Sequence, residues 1–418
     1  TPVTADPTHN KRLIIEPPED SVCKKLKLDT VDRVKKRKVA MLLGYLGKNY
    51  YGMQRNPGMK TIEEDLIQAL LKANLISDEA FETIQTIQFQ RAARTDKGVS
   101  AARQVVSLKL PEHGNKEEIN SFLPQEIRVF GIKRVTKGFN SKSKCDARTY
   151  VYTVPTFAFA PETLDPNSSK SDFDVDKKIE ELSIIDDQPC SRFRISNETV
   201  DRINSVLKLY EGTHNFHNFT SKIKPLDPCA IRYIINFSCS EPFLYNDMEF
   251  VTLKVKGQSF MLHQIRKMVA LAIAVVRTLA DEETLATAYQ PGRIDLPMAP
   301  SLGLVLDQVH YDRYDKRYGS DGIHEALEWK EVDEEIIKFR DDYILKYIFE
   351  TEYEEKSYPS LNFLKNRKDF LQPFVFSYEK ARNYISSKFS LTKYIRMLKW
   401  LATLCRHSYS VREENLDS

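Results

Sequence analysis

The sequence lacks the features that define several protein classes. Only 14 of its 418 residues are glycine, which excludes a collagen-like or glycine-rich chain. Its six cysteines are widely spaced and form no Cys-x-x-Cys pair, so we expect a reducing compartment rather than a disulfide framework. The longest apolar run, Met268 to Val276, is far shorter than the roughly 20 residues of a membrane span. We therefore expect no membrane partner.

The net charge of +3 hides an uneven distribution along the chain. Residues 1–160 carry a net charge of +9, whereas residues 161–190 carry −6 and residues 321–360 carry −8. The small total charge therefore hides the fact that the chain outside these two acidic segments is basic. Segregated charge says more about binding partners than the total charge does.

Hydrophobic periodicity predicts two similar halves, each with strands and helices, followed by a mainly helical region. The helix of the first half begins after Thr61, an N-cap residue with Glu64 in the capping-box position. Strands are predicted at 38–45, 84–90, 104–110, 127–136, 149–154, 231–238, 250–255 and 302–311. Long helices are predicted at 200–210, 262–280, 336–349, 378–387 and 392–406. This order is typical of an α+β protein with two split βαβ units.

The same patterns divide the chain into five parts. They are a flexible tail (1–35), an N-terminal α+β unit (36–155), an acidic insertion (156–192), a C-terminal α+β unit (193–320) and a mainly helical extension (321–418). We expect the sheets of the two α+β units to join and to form a cleft between them.

One polar loop between strands of the first half concentrates charge. Its sequence is RAARTDKGVSA, from Arg91 to Ala101, and it places Asp96 between Arg94 and Lys97. A carboxylate among cations is favoured in its ionised form, which suits a nucleophile. An ordinary ion pair between Asp96 and a neighbouring arginine explains the same spacing.

This loop closely resembles the A-R-T-D-x-G-V-x-A signature of the TruA-type tRNA pseudouridine synthases. Other strings resemble further blocks of that family, in the family's order and over about residues 38–318. They are GYLGKNYYGMQ (44–54), ARTYVY (147–152), GQSFMLHQIRKMV (257–269) and APSLGLVL (299–306). HNFHNFTS (214–221) and GFNSKSKCDARTY (138–150) resemble the eukaryotic branch of the family.

The resemblance implies two ferredoxin-like subdomains that share a continuous antiparallel sheet with a central basic cleft. It implies isomerisation of uridine to pseudouridine in RNA, mainly in tRNA and at several positions, without a cofactor or metal. It also implies a nuclear or mitochondrial location. Bacterial relatives are homodimers, but extra C-terminal helices can cover the dimer face, so we expect a monomer here.

The resemblance also assigns roles to individual residues. Asp96 matches the catalytic aspartate, Tyr150 the tyrosine that packs against the target uracil, and Arg266 the arginine that pairs with the aspartate. Arg94 matches the arginine that contacts flipped-out RNA, and Lys97 beside it is expected to bind substrate. The residues that we expect to contact RNA phosphates precede ARTYVY: Lys133, Lys137, Lys142 and Lys144.

The chemistry of these residue types agrees with the roles. The target base must leave its stack, and a carboxylate can stabilise or trap a cationic sugar or add to the base. Whether Asp96 attacks ribose C1′, attacks base C6 or drives elimination to a glycal stays open. Two other functions also fit: a catalytically silent RNA-binding protein and a nucleosidase that releases free uracil.

Two further expectations concern residues outside these motifs. His214-x-x-His217 has poor spacing for zinc with Cys229 and Cys239, so we expect the histidines to serve packing and hydrogen bonding. The acidic segments 161–190 and 321–360 are expected to lie away from the RNA-binding cleft, since they would repel phosphates there.

Overall fold

The structure, a computed structural model, describes residues 35–160, 184–185 and 188–355. The parts of the chain that lie outside the described residues include the expected tail, most of the acidic insertion and the helices expected at 378–387 and 392–406. Within the described ranges, no helix is both long enough and apolar enough to cross a membrane.

A large, open and mostly antiparallel sheet organises the described chain. Its strands are β1 (Lys36–Tyr45), β2 (Gln90–Arg91), β3 (Ser100–Pro111), β4 (Ile127–Arg134), β5 (Ala147–Pro155), β8 (Gly212–Asn215), β9 (Ile231–Cys239), β10 (Phe243–Tyr245), β11 (Met248–Gly257) and β12 (Leu304–His310). Neighbouring strands follow the order β4-β1-β3-β12-β5-β11-β9-β8, and in addition β2 pairs with β3 and β10 pairs with β11. A separate hairpin comprises β6 (Ile184–Ile185) and β7 (Gln188–Pro189).

Helices lie between and after the strands, so the protein is of mixed α/β type. They are α1 (Ile62–Lys72), α2 (Asp78–Glu82), α3 (Lys116–Phe122), α4 (Asn197–Lys208), α5 (Gln264–Val276), α6 (Glu282–Ala288), α7 (Asp312–Tyr318), α8 (Asp333–Phe339) and α9 (Lys346–Glu355). A π-helical segment, Arg340–Leu345, joins α8 to α9. The apolar helix α5 is buried along almost its whole length.

Most predicted elements are confirmed, with their ends shifted by a few residues. The strand predicted at 84–90 is wrong. Residues Ile84–Ile87 form a 3₁₀ turn instead, and only Gln90–Arg91 are extended. The main-chain N–H and the hydroxyl of Thr86 both donate to the carbonyl oxygen of Thr83, at 3.0 and 2.9 Å, and this local bonding replaces strand pairing.

Only one of the two hydrogen bonds of the predicted capping box forms at the start of α1. Thr61 Oγ1 accepts a hydrogen bond from the main-chain N–H of Glu64 at 3.3 Å. The Glu64 carboxylate forms an ion pair with Arg55. The N-cap is therefore confirmed, while the carboxylate serves a tertiary contact.

One parallel pair joins the two halves of the sheet. Val305 and Leu306 of β12 pair with Ser100 and Ala101 at the start of β3. β12 also pairs with β5 in the antiparallel sense. The chain enters β12 so close to β5 that a Cβ on Gly303 would lie 2.2 Å from the carbonyl oxygen of Thr153. Only glycine fits at that position.

Residues 329–349, here called the strap, cross the sheet from β4 to β11. The strap begins at Trp329, whose indole fills the space above Gly131 of β4. Further along, the Phe339 ring packs edge-on against Phe130, with 5.6 Å between the centroids. At the far end, Phe349 packs on Phe250 of β11 at 4.9 Å and stacks on Tyr245 of β10 at 4.4 Å. The strap therefore ties both halves of the sheet together.

The acidic side chains of the strap bind the face of the sheet opposite the Asp96 loop. Arg103 of β3 donates to Asp333 at 3.0 Å. The next residue, Gln104, points to the other face and bonds to Ala93 in the Asp96 loop. Asp333 and the Asp96 loop therefore contact opposite faces of β3, and the position of the acidic segment relative to the cleft stays a prediction. Residues 161–183 lie outside the described part.

The strap leads to a prediction about stability. Phe349 is only 6% exposed, whereas Tyr353 on the same helix is 47% exposed. Phe349→Ala should lower the free energy of unfolding by about 3 kcal/mol, because it leaves a cavity among three aromatic rings. Urea denaturation provides the measurement, and Tyr353→Ala is the control, with an expected effect below about 0.5 kcal/mol. Equal losses in the two variants would contradict a stabilising strap.

Candidate active site

The Asp96 loop leads into the first residue of β3, at the junction of the two halves. Ala92 donates its main-chain N–H to the carbonyl oxygen of Val105 at 2.8 Å, so the loop starts as an extension of the short strand β2. The loop closes in a turn, in which the N–H of Val99 donates to the carbonyl oxygen of Asp96 at 3.1 Å. Gly98 has a φ of 78°, which glycine adopts without strain.

A buried polar network fixes the backbone just before Asp96. The amide of Gln104, which is fully buried, accepts from Ala93 N–H at 3.2 Å and donates to the Ala93 carbonyl oxygen at 2.9 Å. The hydroxyl of Tyr45 lies 2.8 Å from Thr95 Oγ1. A satisfied network of this kind permits one arrangement of the chain and so presents Asp96 in a fixed place.

The glycine-rich block at 44–54 lies directly against this loop. The main-chain N–H of Met53 donates to the Thr95 carbonyl oxygen at 3.1 Å, and that of Gly98 donates to the Tyr50 carbonyl oxygen at 3.2 Å. At Gly52 φ is 104°, and a Cβ there would lie 2.7 Å from the Thr95 carbonyl oxygen. These glycines allow the close approach of two backbones.

Burial and nearby cations act on Asp96 in opposite directions. Loss of solvent raises the pKa of Asp96, and this is the largest effect; His263 and Arg266 lower it. The His263 Nε2 lies 4.0 Å from Asp96 Oδ2. Arg266 therefore favours the ionised carboxylate as expected, although burial is the larger effect and the pKa of Asp96 rises. The cations that act come from α5 and its N-cap rather than from Arg94 and Lys97.

Arg266 is a buried arginine on the first turn of α5. Its Nε donates to the carbonyl oxygen of Ala299 at 2.6 Å, and Ala299 N–H donates back to the Arg266 carbonyl oxygen at 3.1 Å. These two bonds join α5 to the segment that leads into β12. His263 precedes α5 in a left-handed conformation, with φ of 64°. The blocks at 257–269 and 299–306 are thus assembled beside Asp96.

Tyr150 lies on β5, next to the same cluster. Its side chain is nearly buried, and its ring packs edge-on against Phe260 at 5.3 Å between centroids. Burial raises the pKa of Tyr150 well above its usual value, and the nearby Asp96 carboxylate adds to that rise. The phenol therefore stays protonated at neutral pH.

The structure places the predicted RNA-contacting residues in two groups. Arg94 and Lys97 are exposed on the Asp96 loop. Lys137, Lys142 and Lys144 are exposed in the segment before β5.

Lys133 does not fit its expected role as a phosphate contact. Its ammonium donates to the carbonyl oxygen of Ala326 at 2.8 Å, pairs with Glu331 at 2.7 Å and lies 4.6 Å from the centroid of the Trp329 ring. The Lys133 side chain therefore anchors the start of the strap. The spacing of basic residues could not reveal this, because the partners are almost 200 residues away in sequence.

The two histidines of HNFHNFTS serve packing and hydrogen bonding. His214 stacks on Tyr289 with 4.3 Å between centroids, and His217 Nδ1 lies 3.0 Å from Asn215 Oδ1. Within the described ranges, no three His, Cys, Asp or Glu side chains converge as a metal site would require. The four cysteines in those ranges, Cys145, Cys190, Cys229 and Cys239, are free thiols.

Arg148 is a site residue that the sequence analysis missed. Its Nε and Nη2 donate to the Ala92 carbonyl oxygen at 3.1 and 2.7 Å, and its Nη1 donates to the Gln258 carbonyl oxygen at 2.8 Å. It thus joins the start of the Asp96 loop to the segment that leads to Phe260. Its position two residues before Tyr150 was a usable signal, because such residues share one face of a strand.

Comparisons with known proteins identify the family to which this chain is similar. The family model described as tRNA pseudouridine synthase matches residues 206–312, a range that includes Arg266. Pseudouridylate synthase 1 homolog of Mus musculus is 46% identical over 329 residues, which cover 78% of this chain and 73% of that protein. The Homo sapiens protein of the same name is 46% identical over 323 residues, covering 76% of this chain and 70% of that protein.

A fungal relative extends the similarity. The tRNA pseudouridine synthase 1 of Yarrowia lipolytica is 37% identical over 357 residues, covering 70% of this chain and 68% of that protein. At this identity and coverage, the chain belongs to the tRNA pseudouridine synthase family. Members of this family are isomerases that act on uridine in RNA.

The Arg148 geometry predicts a catalytic defect. Arg148→Met keeps an unbranched stem but removes all three hydrogen bonds, so the Asp96 loop loses its link to the Gln258 segment. We expect the single-turnover rate of uridine isomerisation to fall about tenfold or more, because small displacements of reacting groups are costly. Arg128→Met is the matched control, since Arg128 also donates to two carbonyl oxygens, at 2.9 and 2.8 Å, but on the outer strand β4. Similar rates in the two variants would exclude a positioning role.

The opposing effects on Asp96 predict a pH dependence. If the ionised carboxylate is required, activity should fall as the pH drops through the pKa of Asp96, which burial raises above its ordinary value of 3.8. Arg266→Gln removes a charge that lowers this pKa, so the acid limb of the pH–rate profile should move to higher pH. Arg340→Gln on the strap is the control and should leave the limb in place. An unmoved limb in Arg266→Gln would contradict the electrostatic assignment.

Proposed function

We propose that this protein isomerises uridine to pseudouridine in RNA, mainly in tRNA and at several positions, with Asp96 as the catalytic carboxylate and without a cofactor. The observation that carries the proposal is the convergence of Asp96, Arg266 and Tyr150 from three distant parts of the sequence. The same three residues are those that the family resemblance selects.

The bond changes of this reaction balance within one nucleotide. The N1–C1′ bond of uridine breaks, the uracil turns, and a C5–C1′ bond forms. The proton on C5 leaves and N1 gains a proton, so the product is an isomer of the substrate. No atom is oxidised or reduced overall, and the reaction therefore needs no redox cofactor or second substrate.

Asp96 supplies the charge that this reaction needs at the sugar or the base. Its ionised form can stabilise or trap a cationic C1′, as carboxylates do in glycoside chemistry. Arg266 and His263 favour that form, and the largely water-excluded site strengthens every charge interaction within it.

Tyr150 contributes its aromatic face rather than a base. Its raised pKa makes the phenolate unfavourable at neutral pH, so the group is poorly suited to remove the proton from C5. Its ring packs edge-on against Phe260, and its flat apolar face is the part of the side chain that we assign to the uracil.

RNA reaches this site by base flipping, which costs a few kcal/mol of stacking. Arg94 is exposed on the Asp96 loop, and its exposure supports the proposed contact with the RNA from which the uridine has left. The exposed residues Lys137, Lys142 and Lys144 remain candidates for phosphate contacts. Lys133 is no longer a candidate, because it pairs with Glu331.

The same proposal extends to the subdomains of the protein, its oligomeric state and its location. We propose that β4-β1-β3 with α1 and α3, and β5-β11-β9-β8 with α4 and α5, correspond to two ferredoxin-like subdomains. The strap occupies one face of the sheet, which supports a monomer. A nuclear or mitochondrial location remains a prediction from the family resemblance.

The test is tritium release from tRNA labelled at uridine C5. The wild-type protein should release tritium and leave the base attached through a carbon–carbon bond, with no free uracil. A nucleosidase would instead release labelled uracil, and a silent RNA-binding protein would release nothing. No release from any tRNA tested would contradict the proposed function.

Asp96→Asn provides the matched variant. It should lower tritium release by about 10³-fold or more, because the reaction loses its carboxylate, while affinity for tRNA stays within about threefold. Filter binding measures the affinity separately from activity. Retained activity in Asp96→Asn would remove Asp96 from the catalytic role.

A further inference from the structure

Tyr51 is an aromatic side chain exposed beside the Asp96 loop. Its surface is 50% exposed, although tyrosine has a large apolar ring. The Nζ of Lys97, the residue directly after Asp96, lies 4.7 Å from the centroid of that ring. The proposed chemistry gives Tyr51 no role, so its exposure needs another explanation.

The backbone around Tyr51 is held firmly against the catalytic loop. Tyr51 N–H donates to the carbonyl oxygen of Lys60 at 2.9 Å. The preceding carbonyl, of Tyr50, accepts from Gly98 at 3.2 Å, and the Tyr50 hydroxyl donates to Asp65 at 2.6 Å. Tyr50 is therefore buried and anchored, and it fixes its exposed neighbour at the rim of the site.

An exposed ring with an ammonium beside it matches the chemistry of a nucleotide. A base stacks on an aromatic face, and a lysine binds the phosphate attached to that base. Lys97 occupies one face of the Tyr51 ring, so a base can stack on the other. Stacking accepts any base, since every base has a π-face.

We propose that Tyr51 and Lys97 form a stacking subsite for the nucleotide next to the flipped uridine. This inference rests on the proposed function and deepens it. Lys97 follows Asp96 directly in the chain, and consecutive Cα atoms are only about 3.8 Å apart, so the subsite borders the catalytic group. A platform that holds any neighbouring base would let one enzyme act on uridines in several sequence contexts.

The first test compares two substitutions of the same residue. Tyr51→Ala removes the ring and should weaken the Kd for a substrate tRNA transcript about five- to tenfold, the lower part of the range for loss of one stacked base. Tyr51→Phe keeps the ring and should bind within about twofold of wild type. Tyr353→Ala, which removes a similarly exposed tyrosine from the end of α9, should bind like wild type. Thermal midpoints measured for all variants show whether the fold is retained.

The second test locates the stacked base. A transcript with 2-aminopurine on either side of the target uridine should lose fluorescence when it binds wild type or Tyr51→Phe, because stacking quenches the probe. Tyr51→Ala should restore fluorescence on one side only. Equal affinity and equal quenching in Tyr51→Ala and Tyr51→Phe would overturn the subsite.

The two proposals fail in different ways. If wild-type protein forms no pseudouridine, the proposed function fails. If wild type is active but Tyr51→Ala binds and quenches like Tyr51→Phe, only the stacking subsite fails.

Discussion

The parallel pairing of β3 with β12 is the constraint on which the rest of the site depends. Parallel strands begin at the same edge of a sheet, so the segments that precede them become neighbours. Asp96 precedes β3, and Ala299 precedes β12 and is bonded to Arg266 of α5. One short ladder thereby brings together residues about 170 positions apart. Gly303 allows the ladder to form, since any larger residue would collide with β5.

Burial and neighbouring positive charges act in opposite directions on the pKa of Asp96. Solvent exclusion raises the pKa of Asp96, and Arg266 and His263 oppose that rise without cancelling it. Such a carboxylate costs folding free energy when it is ionised, but it interacts more strongly with developing charge than an exposed one does. The hydrogen bonds from Gln104 and Arg148 hold the Asp96 loop in place and so offset the free-energy cost of burying the carboxylate. The sheet and the loop contacts therefore support a carboxylate whose burial is locally unfavourable.

The two faces of the sheet have separate tasks because side chains alternate along a strand. Arg103 binds the acidic strap on one face, and its neighbour Gln104 supports the Asp96 loop on the other. This separation keeps Asp333 of the strap and the Asp96 loop on different faces of β3. Three acidic residues of the strap, Asp333, Glu335 and Glu331, form ion pairs with Arg103, Lys116 and Lys133 respectively.

The sequence by itself indicated most of the strands and, within the described residues, the long helices, because local periodicity encodes them. Its resemblance to a family selected Asp96, Tyr150 and Arg266 as candidate site residues. It also indicated Thr61 as the N-cap of α1, a contact within four residues. Only the tertiary structure decided that Lys133 anchors the strap, that Arg148 clamps the loop, and that burial dominates the pKa of Asp96. Each of these depends on contacts between distant segments, and on the solvent that such contacts exclude, which no local pattern records.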